Sequence, residues 1–145
     1  MSVRQLSIFV ENRAGAIAEV AGSLADNKIN IFGFSLADTG EYAILRLVVD
    51  QVDAAQTVLN EAGFVAIDSD VLCVEVPQGP GSLAALARAV SGAGADIEYL
   101  YLGAGESVVV KAHNAEGLEE ALTGKSFRIL QEADLSQTAR TVSDT

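Results

Sequence analysis

The chain holds one cysteine and one histidine among 145 residues. One cysteine excludes an intrachain disulfide, and one cysteine with one histidine cannot assemble a zinc cluster. Positive charge is scarce: 9 Lys and Arg stand against 20 Asp and Glu, for a net charge of −11. Such a surface repels a phosphate backbone, so no nucleic-acid partner is expected. No apolar run approaches the roughly 18–20 residues of a membrane span. The opening MSVRQLSIFVENR lacks a basic segment followed by a long apolar core, so no secretory signal is read there. These absences predict a soluble, cytoplasmic, acidic protein with no metal, no cofactor and no membrane partner. Half of the residues are hydrophobic, which suits one ordinary domain or two very small ones.

The apolar residues fall in two alternating rhythms. In VRQLSIFV (3–10), Leu6, Ile8 and Val10 share one face, the period of a half-buried strand. From Ala14 to about Asn27, Ile17, Val20, Ala21 and Leu24 recur at helical spacing, and Gly22 weakens this helix without ending it. Strands follow at 29–38 and 42–50, joined through a turn at Asp38-Thr39-Gly40. A helix is predicted over 52–62, capped by Gly63, and a strand over 64–70. This β-α-β-β-α-β order is the ferredoxin-like split βαβ unit.

The same order then begins again. Strands are predicted at 71–76, 96–103, 107–112 and 126–132, with a turn at 104–106, a helix carrying Leu83, Leu86, Ala87 and Val90, and a short helix over 115–122 with Leu118, Ala121 and Leu122 inward. Sliding the sequence by 66 residues pairs Leu6 with Leu72, Val10 with Val76, Gly15 with Gly81, Ile31 with Ile97 and Leu36 with Leu102. The offset falls to 65 at the hairpin and 63 at the second helix, where Leu59 meets Leu122. Those slips lie in loops, where length changes are tolerated. The fold class is therefore α+β: two tandem ferredoxin-like units, each an antiparallel sheet with helices on one face, paired side by side. The expected boundaries are 1–70, 71–132 and a polar tail, 133–145, either a frayed helix or disordered. The second strand of each unit is an edge, and pairing with another copy covers it.

Each unit passes from its first strand to its first helix through a glycine corner. The corners read Asn12-Arg13-Ala14-Gly15-Ala16-Ile17 and Gln78-Gly79-Pro80-Gly81-Ser82-Leu83. The first N–H groups of a helix lack internal partners and favour an anion. Glycine leaves the approach to them open. A carboxylate fits such a corner; equally, glycine simply permits a tight turn. Pro80 suits a first helical position. Asn12 ends the first strand and Asn30 begins the second, at opposite ends of the first helix, so a site combining them takes them from two copies. Their counterparts are Gln78 and Asp96. Asp96 is suited to an ammonium group or to capping its own turn.

Rival chemistry is thin. GPGSLA (79–84) matches a dinucleotide fingerprint, and Glu98 follows about 20 residues on. A hairpin follows the next strand, however, where a doubly wound fold needs a helical crossover. Cys73 stands mid-strand opposite Ser7 in the repeat and reads as a packing thiol. His113 ends a strand without a second imidazole and reads as a surface residue.

The two corners within two βαββαβ patterns resemble the ACT domain, the small-molecule-binding regulatory module of amino-acid metabolism. The resemblance covers residues 3–132. ENRAG together with INI is similar to the serine-binding regulatory domain of 3-phosphoglycerate dehydrogenase, which implies ligand roles for Asn12 and Asn30; a histidine contact of that domain falls at Val10. The resemblance implies a free amino acid between paired units. Its carboxylate would lie on the amides near Ala14, Gly15, Ala16 and Ile17, its ammonium near Asn12 and Asn30, and its side chain against Ile31, Phe32 and Phe34. It implies a non-catalytic sensor that forms a homodimer. The alternative is a regulatory subunit contacting a biosynthetic enzyme or transcription factor; a small enzyme on this scaffold is the third reading.

Overall fold

A computed structural model describes residues 3–11 and 13–136. Asn12 and residues 137–145 lie outside the described residues. Two compact units result, one from Arg4 to Ser69 and the other built on the chain from Asp70 onward.

In the first unit β1 (Val3–Glu11), α1 (Ala16–Asp26), β2 (Ile31–Asp38), β3 (Tyr42–Val49) and α2 (Val52–Glu61) lead into β4 (Val65–Glu75). The strand order is β2-β3-β1-β4, with β2 at the edge. β3 pairs antiparallel with both neighbours, Leu6 facing Leu47 and Phe34 facing Leu47 from the other side. Alternation explains the core. Leu6, Ile8 and Val10 of β1 and Leu45, Leu47 and Val49 of β3 point to one face. Val20 and Leu24 of α1 and Ala55 and Leu59 of α2 close over them at helical spacing. Burying each large aliphatic side chain there contributes about 2 kcal/mol.

The second unit repeats this with α3 (Ser82–Gly92), β5 (Asp96–Leu102), β6 (Ser107–His113), α4 (Leu118–Gly124) and β7 (Arg128–Leu130). β4 lies between β6 and β7, and β5 is the edge. Its core joins Val74, Val76, Val108 and Val110 to Leu86, Val90, Leu118 and Leu122.

Four expectations need correction. The strands read at 64–70 and 71–76 are one strand, β4, because neither glycine nor proline interrupts residues 65–75. The fourth helix begins at Leu118, not at 115, because 115–118 forms a turn around Gly117. The closing strand has three residues, since Ser126 at φ 69 keeps the chain out of extended geometry before Arg128. Pro80 precedes α3 within a turn and is not its first helical residue. In the tail, residues 132–136 are helical and Leu135 is buried.

Candidate functional site

The glycine corners share one local geometry. In the first, the Ala16 N–H donates to the Arg13 carbonyl at 3.3 Å, with Gly15 at φ 85 and ψ −8. In the second, the Ser82 N–H donates to the Gly79 carbonyl at 3.3 Å, with Gly81 at φ 87 and ψ −9. A bond from residue i+3 to residue i, with a left-handed residue at i+2, defines a type II turn. Pro80 occupies i+1, where a fixed φ near −65° suits that turn. Glycine is needed at i+2 because an L side chain is strained there, and no atom lies within 4 Å of a Cβ placed on Gly15 or Gly81.

The turn fixes which amides remain available. Ala16 and Ser82 spend their N–H groups inside the turn, and Glu19 and Ala85 donate to the Gly15 and Gly81 carbonyls at 3.0 and 2.9 Å. Among the described residues, the N–H groups of Ile17 and Ala18, and of Leu83 and Ala84, have no acceptor. Ala16 thus drops out of the expected donors, while the Ala14 and Gly15 N–H groups, like that of Ile17, make no hydrogen bond among the described residues. Ala16 is buried, its side chain in the first core, while Ala14 and Gly15 are exposed. Leu83 is 59 % exposed beside its corner.

The surrounding charges differ. Arg13 makes a forked contact with Glu19, at 3.3 Å and 2.6 Å, and its Nε lies 3.7 Å from Glu11. Hydrogen bonding to Arg13, reinforced by its charge, holds the Glu19 carboxyl below its ordinary range. The same bond with Glu19 raises the Arg13 guanidinium. At the second corner the Gln78 N–H donates to Glu106 Oε2 at 3.1 Å. Sequence reading missed Glu106, seen there only as part of a turn; its position one residue before a strand that pairs with the corner strand was the available signal.

Asn30 stands apart from the corner of its own unit. Glu11 faces Tyr42 and Ile31 faces Val49, seven positions along β3, so the two ends are about 23 Å apart. The Asn30 N–H donates to Asp50 Oδ1 at 3.0 Å, and the Asp50 N–H donates to the Asn30 carbonyl at 3.2 Å. These bonds fix its backbone, and its exposed side chain makes no hydrogen bond among the described residues. A register shift between Ile31 and Gly33 interrupts β2. Phe32 is buried, Ile31 packs against the first core, and Phe34 and Leu36 are exposed at 67 % and 54 %. Asp96 pairs with His113 at the end of β6 away from the second corner, and His113 Nε2 lies 3.7 Å from Glu98.

A dinucleotide reading of GPGSLA fails on topology, because β5 returns directly into β6 as an antiparallel hairpin. Cys73 is fully buried, and burial pushes its thiol up to about 12. Among the described residues no three His, Cys, Asp or Glu side chains are grouped to hold a metal, and no helix is long and apolar enough to cross a membrane. The second unit also has an open cavity of about 630 Å³ between β4, β6 and the start of α4, its polar lining including Asp70, Lys111 and Glu116.

Two βαββαβ units, each with a glycine type II turn at its first helix, define a tandem ferredoxin-like α+β protein. The chain matches the ACT domain pair over residues 1–144, and it belongs to that family. It is similar to protein BT0572 from Bacteroides thetaiotaomicron, with 34% identity, 93% of this chain and 96% of that chain covered, and a TM-score of 0.86. It also shares its fold with the regulatory subunit of aspartate kinase from Thermus thermophilus, at 22% identity, 83% and 88% coverage and a TM-score of 0.64. The corresponding subunit from Thermus flavus gives 23% identity, the same coverages and a TM-score of 0.63. No curated protein matches the chain.

Proposed function

We propose that the protein is a non-catalytic regulatory sensor that binds a free amino acid at a glycine corner. The observation that carries this reading is the pair of adjacent unpaired N–H groups, Ile17 and Ala18, that the type II turn leaves at the start of α1. They suit an α-carboxylate, and the positive end of the helix favours it further. The turn residues Arg13, Ala14 and Gly15 form the rim of this site, and Asn12, outside the described residues, keeps the ligand role that the resemblance implies; Gln78, Gly79, Gly81, Ser82 and Leu83 form its second-unit equivalent. Asn30, too far from its own corner, serves the corner of a second copy. Its free side-chain oxygen is an acceptor for the ligand ammonium. β2 is an edge strand with exposed Phe34 and Leu36, and a homodimer through it supports such a shared site. The similarity of ENRAG to a serine-binding domain supports an amino-acid ligand. Val10, at that domain's histidine position, is buried in the first core.

A thermal-shift screen with the twenty L-amino acids tests this reading. A ligand at 100 times its Kd stabilises a protein by about 2.7 kcal/mol. The expected result is a clear rise in Tm with one or a few of them, lost or weakened in Asn30→Ala. No response to any amino acid overturns it. A second reading, a regulatory subunit of a biosynthetic enzyme, draws support from the likeness to the Thermus subunits and from exposed Val65 and Ile67 flanking buried Ala66 on β4. Co-purification of an enzyme with no amino-acid response favours that reading.

A further inference from the structure

The second corner already holds a carboxylate. Glu106 accepts from the Gln78 N–H through Oε2 at 3.1 Å, and its carbonyl accepts from the Val76 N–H at 2.7 Å. The residue is anchored on both sides. The neighbouring Ser107 is 1 % exposed, with its N–H and hydroxyl both donating to the Ala104 carbonyl, at 3.2 and 2.6 Å. The backbone that carries Glu106 is thereby fixed, and its side chain reaches the corner. No Lys or Arg occurs from Val76 to Ala87 to offset the charge. The first corner is dressed differently. Arg13 stands within its turn and partly offsets the carboxylates of Glu19 and Glu11, whereas Glu106 makes no ion pair among the described residues. Glu41, the counterpart of Glu106 in the repeat, is exposed and accepts no hydrogen bond among the described residues.

We propose that Glu106 is a resident carboxylate that closes the second corner to free amino acids, so that each chain binds one ligand, at the first corner. The proposal rests on the corner-binding reading above. Glu106 removes one backbone donor, the Gln78 N–H, from the corner and sets a negative charge on the strand end that leads into it. An incoming α-carboxylate carries the same sign of charge and is repelled. The duplicated fold thus carries two corners of one shape and only one of them receptive.

The test compares the full chain with Glu106→Ala and Glu106→Gln, using each of the twenty L-amino acids in a thermal-shift panel and calorimetric stoichiometry for any that respond. The expected result is one equivalent per chain for the parent protein and two for Glu106→Ala. Glu106→Gln, which keeps an acceptor oxygen without the charge, also gains the second equivalent, more weakly. A readout independent of ligand is amide hydrogen exchange at Gln78, expected to be roughly fivefold faster in Glu106→Ala through loss of one hydrogen bond. Two equivalents in the parent protein overturn the proposal. So does one equivalent in both variants despite faster exchange at Gln78, which leaves Glu106 as a turn clamp with amino-acid binding intact. Absence of binding in parent and variants overturns the corner reading itself, and the guard role with it, whatever Gln78 shows. Circular dichroism confirms that the variants fold, as expected for an exposed side chain.

Discussion

The two glycine corners have the same backbone and different surroundings. Each is a type II turn with glycine near φ 86, and each leaves two helix-start amides unpaired. The first adds an exposed guanidinium tied to Glu19; the second adds Pro80 and a carboxylate on Gln78. A third turn of this kind precedes α4, where Gly117 has φ 78 and the Leu118 N–H donates to the Ala115 carbonyl at 3.0 Å. The glycine turn is therefore a general way this chain enters a helix. Recurrence of the turn marks a folding device; what the neighbouring side chains do to the open amides decides whether a corner serves a ligand.

If the repeat is one physical design used twice, matched core positions should respond alike. Leu59 on α2 and Leu122 on α4 are both 0 % exposed. Leu59→Ala and Leu122→Ala should each destabilise the protein by about 3 kcal/mol, the middle of the range for a buried leucine. Chemical denaturation measures this. A much smaller loss at Leu122 would show that the seven-residue α4 relaxes around the cavity in a way α2 does not. The corners provide the next test. Gly15→Ala and Gly81→Ala should each cost about 1 kcal/mol from left-handed backbone strain alone, because no neighbouring atom obstructs either methyl group. Unequal costs would mean that Pro80 or Arg13 changes how firmly its turn is held.

The core was legible in the sequence because apolar residues keep strict periods there: two in β1 and β3, and helical spacing through Val20 and Leu24. The repeat was legible because matched leucines and valines fill matched holes. The single strand across Asp70 was not, since a chain restarting its pattern reads naturally as two strands, and only pairing on both sides shows that it never turns. At the candidate site, glycine announced the turn, but the hydrogen bond closing it spends the Ala16 N–H and leaves that of Ala18 open, which the sequence did not single out. Phe32 entered the sequence reading as a pocket residue, yet the irregularity beside Gly33 goes with a buried side chain there. Bulges shift a side chain from one face to the other without a reliable mark in the residues that form them. Glu106 was hidden for a different reason. Its role depends on a strand pairing that brings it to a corner residue 28 positions away in the chain.

Cys73 and Ser7 sharpen the comparison one step further. They are matched in the repeat, but Cys73 is fully buried and Ser7 only half-buried. A thiol titrating at about 12, chiefly through burial, has almost no thiolate at pH 8. A disulfide reagent should leave folded Cys73 untouched and modify it completely in denaturant, whereas an engineered Ser7→Cys should react in the folded protein. The sign of the pH dependence follows. The folded state favours the neutral thiol, so this contribution to stability is intact below the ordinary thiol value of 9.0 and declines as pH rises from there toward 12.

The smallest effect is expected at the ion pair that distinguishes the first corner. Arg13 and Glu19 have side chains 46 % and 53 % exposed, so water and salt screen them and the net stability gain is slight. The pair should still be visible in a titration. Because the folded protein depresses the Glu19 carboxyl, the stabilisation is present above the unfolded carboxylate value of 4.5 and is lost as pH falls through the lower folded value. In Arg13→Ala the Glu19 carboxyl, followed by carbon NMR, should return upward. The same substitution should weaken amino-acid binding if the guanidinium helps the first corner tolerate an incoming carboxylate beside Glu11 and Glu19. A variant in which Glu19 moves upward and amino-acid affinity stays constant would assign Arg13 to the turn alone. The difference between the corners would then rest on Glu106 and not on a cation.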